Sequence, residues 1–181
     1  MLPEDASMDA AQMQRLTDMV NRVYAASEKG LWKNGAARTT VAEMQTFAEN
    51  GELAAARFNG KIIGCIRIRQ LDENIGEFGL LAVDLDFQGA GIGSRLIQFA
   101  EQKCQKEHLR KMQLELLVPK KGAHPAKSVL ENWYTRLGYR PIETKAVEAL
   151  FPALAPMLAV PCRFVIFQKD LEAAGRELNR N

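Results

Sequence analysis

Apolar residues recur at three- and four-residue steps in Met13, Leu16, Val20, Val23 and Tyr24. That period predicts an amphipathic helix from Met8 to about Ala26, with Ser7 as its N-cap. Over residues 27–39 the pattern dissolves into two glycines, Trp32 and three basic side chains, which reads as a loop. Thr40-Val41-Ala42-Glu43 is a capping box, and Val41, Met44, Phe47 and Ala48 form one face of a short helix that Asn50-Gly51 closes. Strand-like runs follow. Leu53–Phe58 and Lys61–Ile68 flank Asn59-Gly60, the residue pair that a type I′ hairpin turn favours. Asp72–Gly76 makes the next turn, and Glu77–Val83 is a third strand.

The second half alternates helix and strand. Ile92, Leu96, Ala100 and Cys104 mark a helix packed on a sheet, and Met112–Val118 is the next strand, so a crossover makes two strands parallel. A second capping box, Ser128–Glu131, opens a helix whose face is Leu130, Trp133, Tyr134 and Leu137, closed by Gly138. Pro152, Pro156 and Pro161 exclude one continuous helix over residues 143–161, although a helical turn fits near Ala146–Leu150. Cys162–Lys169 is the last strand, and residues 170–181 are a polar tail. The expectation is one domain, residues 1–181 with its core at about 8–169, built as an α/β fold with a mixed, mostly antiparallel open sheet.

Between the third strand and the following helix lies Asp84-Leu85-Asp86-Phe87-Gln88-Gly89-Ala90-Gly91-Ile92-Gly93-Ser94. Such a turn leaves backbone N–H groups uncovered at a helix start, where the dipole adds positive charge, so it suits a phosphate or pyrophosphate. No Lys follows these glycines at P-loop spacing, and Ser94 stands where a dinucleotide motif needs its third glycine. The segment Val83-Asp84-x-Asp86-Phe87-Gln88-x-x-Gly91-x-Gly93 resembles the acetyl-CoA loop of the Gcn5-related N-acetyltransferase (GNAT) family, with Leu85 in place of the usual proline. Trp133-Tyr134-Thr135-Arg136-Leu137-Gly138-Tyr139 resembles a second, separate signature of the same family.

The resemblance implies a sheet that splays open after the third strand; little room precedes the first helix, so the family's first strand is expected to be missing or very short here. It implies that Leu81, Ala82 and Val83 run beside the pantetheine arm of acetyl-CoA, and that Gln88, Gly89, Ala90, Gly91, Ile92, Gly93 and Ser94 hold its pyrophosphate. Glu77 matches the family's catalytic glutamate and Tyr134 its tyrosine acid. Six residues separate Glu77 from Val83, ~20 Å along an extended strand, so cofactor arm and acceptor fit along one strand. Other readings remain open: Glu77 as an ion-pair partner of Arg67 or Arg69, and Tyr134 as a packing residue. Lys127 and Leu130 depart from the family pattern. Trp32 and Arg38 contact the acceptor or merely close the loop; Lys120, Lys121 and Lys127 meet phosphates or water. The apolar stretch 143–161 shapes an acceptor pocket or a homodimer interface.

Composition narrows the field. Twenty-four Lys and Arg against 22 Asp and Glu give a net charge of +2, no electrostatic case for nucleic acid or an anionic membrane. The three cysteines, 65, 104 and 162, are odd in number and widely spaced, and the two histidines form no ligand pair, so neither a disulfide framework nor a metal site is expected. No leader pattern or membrane-length apolar run is read, and the cytoplasm is the expected location. Two functions fit: an N-acetyltransferase acting on a small-molecule or peptide amine, and a catalytically silent acyl-CoA-binding module on the same fold.

Overall fold

A computed structural model describes residues 8–34 and 36–171; Ser7 and the tail from residue 172 lie outside them. The chain forms α1 (Ala10–Ser27), α2 (Val41–Glu49), β1 (Leu53–Phe58), β2 (Lys61–Gln70), β3 (Ile75–Val83), α3 (Ile92–Lys106), β4 (Lys111–Pro119), α4 (Pro125–Arg136), β5 (Arg140–Ala146), α5 (Val147–Leu150) and β6 (Cys162–Asp170). Asp9 caps α1, its carboxylate accepting from the Gln12 N–H at 2.7 Å. The Thr40–Glu43 box caps α2 in both directions. Asn59 and Gly60 turn the first hairpin with φ of +48° and +76°.

Six strands make one sheet in the order β1-β2-β3-β4-β6-β5, antiparallel except for β3 and β4. Among the described residues no strand precedes α1. One face carries α3 and α4 over Ile66, Phe78, Met112, Leu114 and Leu116, with Leu96 of α3 in the same cluster. On the other face, α1 and α2 cover Cys65, Leu80 and Ala82. Leu117, Phe164 and Ile166 on that second side pack instead against Leu31 and α5.

Two irregularities in β3 shape everything that follows. Opposite Cys65–Arg67 of β2, β3 carries one extra residue, and Leu80 there has φ +45°. A bulge shifts the side-chain alternation, so Phe78 faces α3 while Leu80 and Ala82 face α1. The second irregularity is that β3 pairs with β4 only over Ile75–Glu77 against Lys111–Gln113. Beyond Glu77 the strands part, and the β3 edge facing β4 has no strand partner among the described residues.

Three sequence expectations are corrected. Helix α4 starts at Pro125, a residue suited to the first helical position because it has no N–H to satisfy. The Ser128 amide therefore donates to the His124 carbonyl at 3.0 Å inside the helix, and Ser128 caps nothing. Strand β5 went unread because an exposed edge strand has no buried face to impose alternation; a register break beside Pro141 leaves Ile142 on the surface. Lys127 is neither at a phosphate nor in water. It is buried in the first turn of α4, with Nζ 2.5 Å from Glu28 Oε1.

Candidate active site

Where β3 and β4 separate, a cavity of about 770 Å³ runs through the sheet from the α1 side to the start of α3. Its far end is the glycine turn. Gly91 caps α3 in the left-handed region at φ +78°, a conformation that costs an L side chain strain, and Arg95 N–H makes the first helical bond back to the Gly91 carbonyl. The N–H groups of Ile92, Gly93 and Ser94 thus have no intrahelical acceptor, and the 15-residue helix points its positive end at them. A Cβ on Gly93 would stand 3.1 Å from the Trp133 ring, so glycine there allows α4 to close over the turn.

Of the sequence-predicted cofactor residues, Leu81, Val83, Gln88, Gly89, Gly91, Ile92, Gly93 and Ser94 line the cavity. Ala82 does not; it is buried against α1, and only its backbone belongs to the open edge. Ala90 sits exposed on the turn outside the lining. Lys120 and Lys121 are exposed and also outside it.

Midway along the cavity stands Tyr134, 6% exposed, its ring against Phe78, Trp133, Tyr139 and Phe167. Burial holds its phenol well above the ordinary value, so the hydroxyl stays a donor. On the opposite face Glu77 is 7% exposed, and its Oε1 accepts from Arg69 Nε at 2.7 Å, the cross-hairpin pair that the sequence allowed. Its other oxygen is buried without a hydrogen-bond partner among the described residues.

A second carboxylate joins it. Gln113, Glu115 and Leu117 alternate with Met112, Leu114, Leu116 and Val118 along β4, which puts Glu115 on the Glu77 side of the sheet. Its pKa is pushed up to about 7, first by burial and then by the charge of Glu77, with Arg69, Lys145 and Arg38 acting the other way. Sequence reading passed over Glu115, because one Glu in an alternating strand looks like a solvent-facing position. Here it lines the cavity, as does Leu150–Leu154. Part of the apolar stretch 143–161 thus belongs to the cavity lining.

Arg38 and Trp32 separate in role. Trp32 is the loop plug: its Nε1 donates to Glu28 Oε2 at 2.5 Å and its backbone bridges to Leu158. Arg38 lines the cavity with its guanidinium 5.2 Å from the centre of the Tyr24 ring.

A glycine turn feeding a helix, a splayed parallel strand pair and ionisable side chains on both sides of the gap share this one cavity. The acetyltransferase (GNAT) family model matches residues 17–139, over half of the 181-residue chain, and the chain belongs to that family. Solved structures share the fold. A GNAT family acetyltransferase from Elizabethkingia anophelis with acetyl-CoA bound aligns at TM-score 0.56 and 19% identity, over 73% of this chain and 84% of its own. An aminoglycoside 6′-N-acetyltransferase complexed with coenzyme A aligns at TM-score 0.69 and 15% identity, over 94% and 97%. The ribosomal-protein-S18-alanine N-acetyltransferase from Escherichia coli aligns at TM-score 0.63 and 17% identity, over 99% of each chain. No curated protein matches the sequence. Among the described residues no helix is long and apolar enough to cross a membrane, and no cluster of three or more His, Cys, Asp or Glu could hold a metal ion.

Proposed function

We propose that this protein transfers an acetyl group from acetyl-CoA to an amine. The observation that carries the reading is the single cavity joining Glu77 and Glu115, past Tyr134, to the uncovered N–H groups of Ile92–Ser94. The residues fit an extended, pyrophosphate-bearing ligand: donors and dipole at one end, an unpaired strand edge at Leu81–Val83 in the middle, carboxylates at the other. Acetyl-CoA supplies a thioester whose carbonyl carbon accepts the amine's lone pair as the C–S bond breaks.

The remaining work falls to this chain. An amine must be neutral to attack, so a carboxylate takes its proton, and Glu115, its pKa pushed up to about 7, is suited to accept it near neutral pH. Glu77 is fixed by Arg69, and its unpartnered oxygen offers an acceptor that orients the amine. Tyr134 approaches from the opposite face of the sheet and donates its hydroxyl proton toward the departing sulfur, solvent restoring it afterwards. Calorimetry with acetyl-CoA, NAD and ATP tests the cofactor half: acetyl-CoA is expected to bind and the other two are not. NAD binding with no acetyl-CoA signal would overturn the reading.

A further inference from the structure

The cavity lining carries four cations, Arg38, Arg67, Arg69 and Lys127. Three have carboxylate partners: Arg67 pairs with Glu52 at 2.6 Å, Arg69 with Glu77 at 2.7 Å and Lys127 with Glu28 at 2.5 Å. Arg38 has none among the described residues, and its Nε is buried without a hydrogen-bond partner. Of the four lining carboxylates, Glu28 and Glu77 are in those pairs and Glu43 is bound by Thr39 and Thr40. Glu115 has no cation within ion-pair distance among the described residues. One cation and one carboxylate thus line the same cavity without an ion-pair partner among the described residues; Arg69 and Lys145, and more weakly Arg38, lower the pKa of Glu115.

Arg38 is also held in place. Asn21 Oδ1 accepts from the Arg38 and Thr39 N–H groups at 2.9 and 3.1 Å, and Asn21 Nδ2 donates to the Thr39 carbonyl at 3.0 Å. Three bonds from one α1 side chain fix the backbone that presents the guanidinium. Tyr24, one turn further along α1, lies under it. Burial pushes the Tyr24 phenol up to about 12, so its hydroxyl is a second donor next to the fork.

Resting on the acetyltransferase reading, we propose that the acceptor is an amine bearing a carboxylate, with the carboxylate on Arg38 and Tyr24 and the amine at Glu115. A guanidinium matches a carboxylate in geometry as well as charge. A buried donor without a partner is costly, and this ligand supplies the missing acceptor. A diamine or polycation would set a second positive charge against Arg38.

The test uses acetyl-CoA-dependent thiol release by the full chain on matched acceptors: α- and ω-amino acids, amino phosphonates of the same length, their decarboxylated amines, and diamines. The carboxylated members are expected to exceed both the decarboxylated amines and the diamines by at least about tenfold in kcat/KM, as a charge-assisted contact predicts. Preference for phosphonates over carboxylates would overturn the carboxylate assignment. Arg38→Gln should lower kcat/KM by roughly 10- to 150-fold for carboxylated acceptors and leave acetyl-CoA affinity unchanged, which also shows that the variant folds. Tyr24→Phe keeps the ring and should act in the same direction with a smaller loss. Equal or better turnover of decarboxylated amines or diamines overturns the proposal, as does acetyl-CoA binding by calorimetry with no carboxylated amine acetylated. Failure of the wild-type chain to bind acetyl-CoA at all would instead remove the underlying acetyltransferase reading.

Discussion

Replacing Glu115 with Gln keeps the side chain's size and removes its proton-accepting charge. A lysine-like amine has a pKa near 10.4, so passing its proton to a carboxyl at the ordinary 4.5 is uphill by roughly 8 kcal/mol. With Glu115 at about 7 the gap shrinks to roughly 5 kcal/mol, a several-hundredfold difference in how often the proton resides on the carboxylate. The carboxylate is active only when ionised. Log kcat/KM should therefore fall with a slope of about one as pH drops below about 7, and in Glu115→Gln this limb should flatten while kcat drops about 10²- to 10⁴-fold. The assay is thiol release at saturating acetyl-CoA across the pH range. Glu77→Gln supplies a check of sign: its charge raises the Glu115 pKa, so removing it should move the inflection to lower pH. Stability should move too. Because the Glu115 pKa is raised in the fold, its contribution is complete below about 4.5 and is lost as pH rises through about 7. Full activity in Glu115→Gln, with the acidic limb intact, would refute the assignment of the base.

Other substitutions probe the frame. Tyr134→Phe keeps the ring contacts with Phe78 and Phe167 and should cut turnover about 10²- to 10⁴-fold with little change in acetyl-CoA affinity, measured by kinetics beside calorimetry. Lys127→Met strands the buried Glu28 carboxylate and should cost about 3–5 kcal/mol in a urea titration; adding Glu28→Gln should recover much of it. Gly76→Ala would drive a Cβ into Cys104 Sγ between β3 and α3, and a loss of about 1–3 kcal/mol is expected by the same titration. Gly91→Val, strained at φ +78°, should weaken acetyl-CoA binding in a chain that still folds, with unchanged affinity marking the turn as purely structural.

What could be read from the sequence was what short stretches determine by themselves. The glycine turn, the Asn59-Gly60 hairpin and the Thr40–Glu43 cap are local, and all three stand as read. The family follows from the turn together with the Trp133–Tyr139 signature. Long-range features were not legible. The Lys127–Glu28 pair joins residues 99 apart, and no local pattern announces a lysine whose partner caps the end of another helix. Glu115 looks polar and solvent-facing until the fold sets it in a cavity that a segment some 35 residues downstream, Leu150–Leu154, also lines. The bulge at Leu80 is set by pairing with β2, not by the apolar run that contains it. Each miss concerns a group whose chemistry depends on what covers it.

The most direct test of the central claim is to incubate the full chain with acetyl-CoA and an amine panel between about pH 6 and 9, measuring free thiol and acetylated amine together. The account predicts equal amounts of both products with at least one amine, and loss of both in Tyr134→Phe and Glu115→Gln. Tight acetyl-CoA binding with no acetylated amine from any acceptor would contradict it, and would leave a module that holds the thioester without using it.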